Sequence, residues 1–138
     1  MKRYMSLDIG DRTIGIAVSD LLGLTAQGVE TIRRKSLEDD LKRLGELMDA
    51  YETKSFVSGL PKNMDGTEGA RCAIVKEFMA EVKKAYPDVE VFFGDERLST
   101  VAATRSLIEA DVSRRKRKKV IDKMAAVFIL QGFLDSKR

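Results

Sequence analysis

The chain has 138 residues and a mass of 15.4 kDa, with 43% apolar residues, two prolines and ten glycines, which fits one folded domain over residues 1–138 and argues against a disordered, collagenous or repetitive chain. It contains no histidine, which excludes Ser-His-Asp and Cys-His triads and HExxH zinc sites and leaves oxygen as the metal ligand. The net charge is +3, yet removing the six consecutive cations Arg114, Arg115, Lys116, Arg117, Lys118 and Lys119 leaves 19 basic against 22 acidic residues, so the positive field is concentrated in one segment, as a polyanion-binding surface or a solvated charged loop requires.

The first third reads as an antiparallel meander. RYMSLDI and TIGIAVS are apolar, β-branched runs separated by Gly10, Asp11 and Arg12, and a third run, Thr25 to Arg33, follows a turn around Gly23. The period then changes. Leu37, Leu41, Leu44, Met48 and Tyr51 recur at helical spacing behind Ser36, a fitting N-cap. KSFVSG, residues 54 to 59, is a short buried-strand pattern that runs into the loop LPKNMDGTEG; a helix with Ala70, Ile74, Phe78, Val82 and Ala85 on one face follows, and Pro87 stops it. VEVFFG is the fifth strand. After DERLS the pattern predicts a helix to about Ala110, then the basic segment, then an apolar helix from about Lys119 to Leu134. The order βββαβαβαα is that of an α/β domain with a mixed five-stranded sheet flanked by helices.

Location follows from what is missing. The single Cys72 cannot form an internal disulfide and sits in an amphipathic helix as a small apolar residue. MKRYMSLDIG has no apolar stretch of signal-peptide length, and nowhere do about 18 uninterrupted apolar residues occur. A cytoplasmic protein without a membrane partner is expected.

The carboxylates carry the functional argument. Asp8 lies between Leu7 and Ile9 in an apolar strand, where a charge is costly unless it is paired, binds a metal or caps the turn at Gly10. Asp95 and Glu96 end the fifth strand, where open α/β sheets place ligand sites; period-2 alternation puts them on opposite faces and leaves open which of them serves a site. Asp122 stands in the first turn of the expected last helix, where it either complements the helix dipole or joins a site, with Ala125 and Ala126 allowing close packing one turn on. One geometry accounts for all three positions: carboxylates from a first strand, a later strand end and a last helix converging on a divalent cation. Oxygen-only ligands suit Mg²⁺ or Mn²⁺.

DIGDRTIGIAVSD, GLPKNMDGTEG, DERLST and IDKMAAVFILQGFLD resemble, in order and over nearly the whole chain, the four signature blocks of the YqgF/RuvX family. The resemblance implies a ribonuclease-H-like fold and a cytoplasmic nuclease, described either as the enzyme that matures the 5′ end of pre-16S ribosomal RNA, the favoured role, or as a Holliday junction resolvase acting on branched DNA. It assigns the acidic triad to Asp8, Glu96 and Asp122 and makes Asp95 a supporting neighbour. Metal is then obligatory, because an acidic cluster cannot approach a phosphodiester until a cation neutralises it. The partner is nucleic acid, as structured RNA or branched DNA, or a pre-ribosomal particle; the chain is expected as a monomer or weak homodimer. Arg114 to Lys119, directly before Asp122, would hold phosphates, and Lys62 and Asn63 in the Gly-containing loop are a second candidate contact. The DIG hairpin also resembles that of actin-like ATPases and sugar kinases, but those folds clasp a nucleotide between two domains. A non-catalytic RNA-binding ribosome-assembly factor is the remaining alternative.

Overall fold

Strand β1 (Met5–Ile9) turns through Gly10, Asp11 and Arg12 into β2 (Thr13–Ser19), and β2 turns into β3 (Ala26–Arg33). The computed structural model describes residues 2–61, 65–95 and 113–137, of which 95, 114, 115 and 117–123 are described by backbone alone. β1 pairs antiparallel with β2 from Met5↔Val18 to Ile9↔Ile14, and β2 pairs antiparallel with β3, as β-branched runs between turn residues predict. In the β2–β3 turn Gly23 has φ +70°. Here the Asp20 carboxylate accepts from the Leu24 amide at 2.8 Å and the Thr25 hydroxyl at 2.9 Å; those bonds, the Leu24 amide first, hold its pKa below the usual carboxylate range.

Helix α1 (Leu37–Tyr51) starts at Ser36, whose hydroxyl accepts from the Asp39 amide at 3.1 Å, and Glu38, Asp39 and Asp40 in its first turn complement the dipole. Then come β4 (Ser55–Leu60), α2 (Ala70–Ala85), β5 (Glu90–Asp95) and α3 (Arg114–Ser136). β4 is parallel to β1 and to β5, so the five-stranded sheet has the order β3-β2-β1-β4-β5 and is mixed. The helix expected to end near Ala110 lies outside the described residues.

Alternation along β1 divides the core. Met5, Leu7 and Ile9 join a cluster with Leu44, Leu47 and Met48 of α1 and Cys72, Val75, Phe78, Met79 and Val82 of α2. Tyr4, with Ala17 and Val57, joins Ala126, Ile129, Leu130 and Leu134 of α3 on the other face. Helices thus cover both faces, and the polar members of β1, Ser6 and Asp8, fall on the α3 side by the same period. Cys72 is buried, as its setting predicts.

Three sequence expectations need correction. On α1, Leu37 is 42% exposed whereas Leu47 and Asp40 are buried. On α2, Ile74 is 44% exposed and the buried stripe runs through Cys72, Val75, Phe78, Met79 and Val82. Several windings of an apolar stripe fit such a helix, and the sheet beneath selects one. The basic run is helical and is not a segment preceding a helix. Ser113 caps α3, its hydroxyl accepting from the Lys116 amide at 3.4 Å, and with good helix formers and no Gly or Pro between, the helix reaches back to Arg114. Asp122 therefore stands in the third turn of α3, too deep to serve as a first-turn dipole partner.

Candidate active site

Asp8 is the penultimate residue of β1 and is half-buried on the face covered by α3. Gly15 lies opposite it on β2. A Cβ on Gly15 would stand 3.5 Å from the Asp8 Cβ and 3.6 Å from the Ala126 Cβ, so glycine and alanine let the helix ride close to the sheet beside this carboxylate. Two residues earlier, the fully buried Ser6 donates its hydroxyl to the Ala126 carbonyl at 2.6 Å. That bond ties the axial position of α3 to β1. Ser6 was visible in the sequence as a polar residue inside an apolar strand, a signal that its neighbour Asp8 overshadowed.

α3 runs antiparallel to β1. Ala126 stands at Ser6 and Gly15, while Phe133 packs edge-on against Tyr4 with ring centres 5.2 Å apart. Going back along α3 from Ala126 therefore leads toward the C-terminal end of β1. Position 122 lies one turn before Ala126 on the same helical stripe, on the Asp8 side.

β5 approaches the same end of the sheet. The rungs Leu7↔Ser58 and Gly59↔Gly94 align positions 8, 59 and 94, and a Cβ on Gly94 would face Ile129 of α3 at 3.8 Å. Position 95 shares its rung with Leu60, which belongs to the α1–α2 cluster. Glu96, Lys62 and Asn63 lie outside the described residues. Arg114 to Lys119 occupy the opening turns of α3, with Lys116 exposed.

The turn after Asp8 is held by residues that sequence reasoning missed. Arg71 of α2 donates to the Ile9 carbonyl at 2.9 Å and to the Asp11 carboxylate at 2.6 Å. Arg34 donates to the Gly10 carbonyl at 2.9 Å and to the buried Asp40 at 3.1 Å. Both arginines come from distant chain positions, and neither spacing nor composition pairs them with the hairpin.

Residues 2–136 match the family model of RuvX, described as Holliday junction resolvase. The chain belongs to this family. It is 58% identical over 134 residues to a Clostridium botulinum protein named "Putative pre-16S rRNA nuclease", covering 97% of each chain. A Clostridioides difficile protein of the same name is 58% identical over 135 residues, which is 98% of this chain and 95% of that one. Among solved structures, Thermus thermophilus RuvC in complex with Holliday junction substrate aligns with a TM-score of 0.66 at 12% identity, covering 99% of this chain and 96% of that one. A second Thermus thermophilus RuvC structure gives 0.57 at 12% identity over 98% and 95% of the two chains. The RuvX fold here is thus the ribonuclease-H-like one, with its mixed sheet and two helical layers. Among the described residues no helix is long and apolar enough to cross a membrane.

Proposed function

We propose that this RuvX-family chain is a divalent-metal-dependent nuclease, a single-domain cytoplasmic hydrolase that cleaves phosphodiester bonds in 5′-end maturation of pre-16S ribosomal RNA. The observation that carries the reading is the meeting of β1 and α3: Asp8 on the strand, the Gly15–Ala126 close approach beside it, and position 122 one turn further toward the same end. The name shared by the 58% identical relatives supports RNA as the substrate.

The donor set fits a hard cation. Asp8, Glu96 and Asp122 offer carboxylate oxygens alone, the ligand chemistry of Mg²⁺ or Mn²⁺. When bound, the cation supplies neutralising charge toward the phosphodiester and makes an attacking water easier to deprotonate. Asp8 and Asp122 would hold it from strand and helix. Glu96 is taken as the third ligand, with Asp95 as its supporting neighbour, on the resemblance of DERLST to the family's signature block.

Arg114 to Lys119 bind phosphates. Six cations at the positive end of a helix dipole oppose folding by roughly 0.3–1 kcal/mol for each one close to the terminus, and a polyanionic ligand offsets that cost. Lys62 and Asn63 add a contact from the β4–α2 loop. On this reading the chain works as a monomer or weak homodimer and meets its substrate as structured RNA or within pre-ribosomal particles. Branched DNA is the second reading, favoured by the family's description and by the fold shared with a junction-bound RuvC. Asp8→Asn, Glu96→Gln and Asp122→Asn should each abolish Mg²⁺-dependent cleavage while preserving the circular dichroism spectrum. Full activity in EDTA, or in any one of these variants, would refute the shared-metal site, and a dead Asp95→Asn with an active Glu96→Gln would reassign the ligand. A four-way DNA junction cut in preference to a pre-16S RNA fragment would favour the second reading.

A further inference from the structure

We infer that Arg71 and Arg34 are positioning residues that fix the β1–β2 turn and, through it, the Asp8 carboxylate; the inference rests on the nuclease reading of Asp8. The β1–β4 ladder ends at Leu7↔Ser58 and the β1–β2 ladder at Ile9↔Ile14. The Ile9 and Gly10 carbonyls lie where strand pairing runs out, and two guanidinium groups from outside the hairpin take them.

Arg71, in the first turn of α2, donates Nη2–H to the Ile9 carbonyl at 2.9 Å and Nη1–H to the Asp11 carboxylate at 2.6 Å. Arg34, just past β3, donates Nη1–H to the Gly10 carbonyl at 2.9 Å and Nε–H to Asp40 at 3.1 Å, and its guanidinium lies 5.1 Å from the Phe78 ring centre. The Gly10 amide closes the turn on the Thr13 carbonyl at 2.9 Å. Both peptide carbonyls after Asp8 are thereby fixed from two other elements. On its other side, Ser6 anchors the strand to α3 through Ala126.

A carboxylate that shares a cation with a helix-borne partner must be held to about 0.5 Å. A Gly-Asp-Arg turn left to itself would be the loosest part of the hairpin. The Arg71–Asp11 ion pair alone cannot supply that rigidity, since the two side chains are 41% and 82% exposed and such pairs are weak. The bonds to the backbone carbonyls are the ones that fix the position of Asp8. Arg71, half-exposed and close to the same sheet end, is the arm to test, because removing Arg34 also strands buried Asp40.

The experiment compares the full chain with Arg71→Met, Arg71→Lys and Asp11→Ala. Mn²⁺ binding is measured by isothermal titration without nucleic acid, cleavage is followed across a Mg²⁺ series, and Gly10 amide exchange is read by NMR without metal. In Arg71→Met the Mn²⁺ dissociation constant and the Mg²⁺ concentration for half-maximal cleavage should rise about tenfold, the size typical of residues that orient a metal ligand. KM for nucleic acid should stay within about twofold and the Gly10 amide should exchange faster. Arg71→Lys should recover part of the loss, and Asp11→Ala, which spares the Ile9 contact, should shift binding less than Arg71→Met does. Unchanged Mn²⁺ affinity in Arg71→Met would overturn the inference. So would a raised KM with metal dependence intact, which would make Arg71 a substrate contact, or a larger defect in Asp11→Ala, which would make Asp11 a ligand. A wild-type chain that takes up no Mn²⁺ would instead refute the nuclease reading, and Gly10 exchange would still report whether Arg71 holds the turn.

Discussion

The Arg34–Asp40 pair offers a direct test of how the hairpin is held in place. Asp40 is 2% exposed, and its carboxylate accepts from Arg34 Nε at 3.1 Å. Replacing Arg34 with Met keeps an apolar chain of similar reach but removes the guanidinium that lies 5.1 Å from the Phe78 ring centre and leaves a carboxylate buried without its cation, a change that costs about 3–5 kcal/mol. Loss of the bond to the Gly10 carbonyl adds roughly 1 kcal/mol. Against a total stability of about 5–15 kcal/mol this is a large fraction. Asp40→Leu should cost less, about 1–2 kcal/mol, because Arg34 retains the Gly10 carbonyl and some access to water. The double variant Arg34→Met/Asp40→Leu should therefore be more stable than Arg34→Met alone, by about 2 kcal/mol or more, since the stranded charge is gone. Urea unfolding followed by far-UV circular dichroism, with m unchanged across the set, measures all three. An Arg34→Met variant within about 1 kcal/mol of wild type, or a double variant no better than that single one, would refute the buried-charge reasoning.

Three further outcomes follow from local geometry. Arg43 donates to both Glu30 oxygens, at 2.9 and 2.5 Å, and holds that carboxyl below its ordinary 4.5. A lowered folded pKa gives stability that is complete above the unfolded value and is lost as pH falls through the folded one. Glu30→Gln should thus cost up to about 1 kcal/mol at pH 7 and converge with wild type at low pH, in urea melts at the two pH values. Gly45→Ala would put a Cβ 2.3 Å from the Tyr86 hydroxyl oxygen, which now donates to the Leu41 carbonyl at 2.7 Å. Displacing that ring should outweigh the helix-propensity gain of roughly 1 kcal/mol, whereas in a Tyr86→Ala background the same change should stabilise the protein against urea. Neutralising Arg115, Arg117 and Lys118 together should flatten the slope of log K against log salt by about two units on single-stranded RNA, at roughly 0.7 per phosphate contact; fluorescence anisotropy in an Asp8→Asn background reads it, and an unchanged slope would make the run a solvated surface.

The strands were legible because their signal is local. β2 was expected at Thr13–Ser19 and lies there, and β1, β3, β4 and β5 shift by no more than two residues at either end. Helix faces were less legible, since a stripe at helical spacing fits more than one winding and the choice belongs to the sheet. Ile74 and Leu37 are exposed for that reason. At the site, Asp8 stood out because its two neighbours in β1 are apolar. Arg34 and Arg71 did not, because their role is to bond carbonyls 24 and 62 residues away in sequence, and a backbone acceptor leaves no trace in side-chain pattern.

At the start of α3 the sequence pattern supports two readings, and the structure selects the helical one. Six like charges in a row suggest a solvated segment, yet each of those residues is also a good helix former, and Ser113 supplies the cap. Once the run is helical, its position acquires a consequence. The six cations and Asp122 then sit on one continuous element, whose register on β1 is set near Asp8 by the Ser6–Ala126 bond and by the glycine at position 15. A shift of α3 along the sheet would move the basic turns and the proposed ligand position 122 together relative to Asp8. On the proposed nuclease reading, catalysis would be lost while nucleic-acid binding at the basic turns survived. Ser6→Ala should therefore weaken cleavage more than it weakens nucleic-acid affinity, the opposite of what neutralising the basic turns does, and equal losses in both would place the coupling elsewhere than in this hydrogen bond.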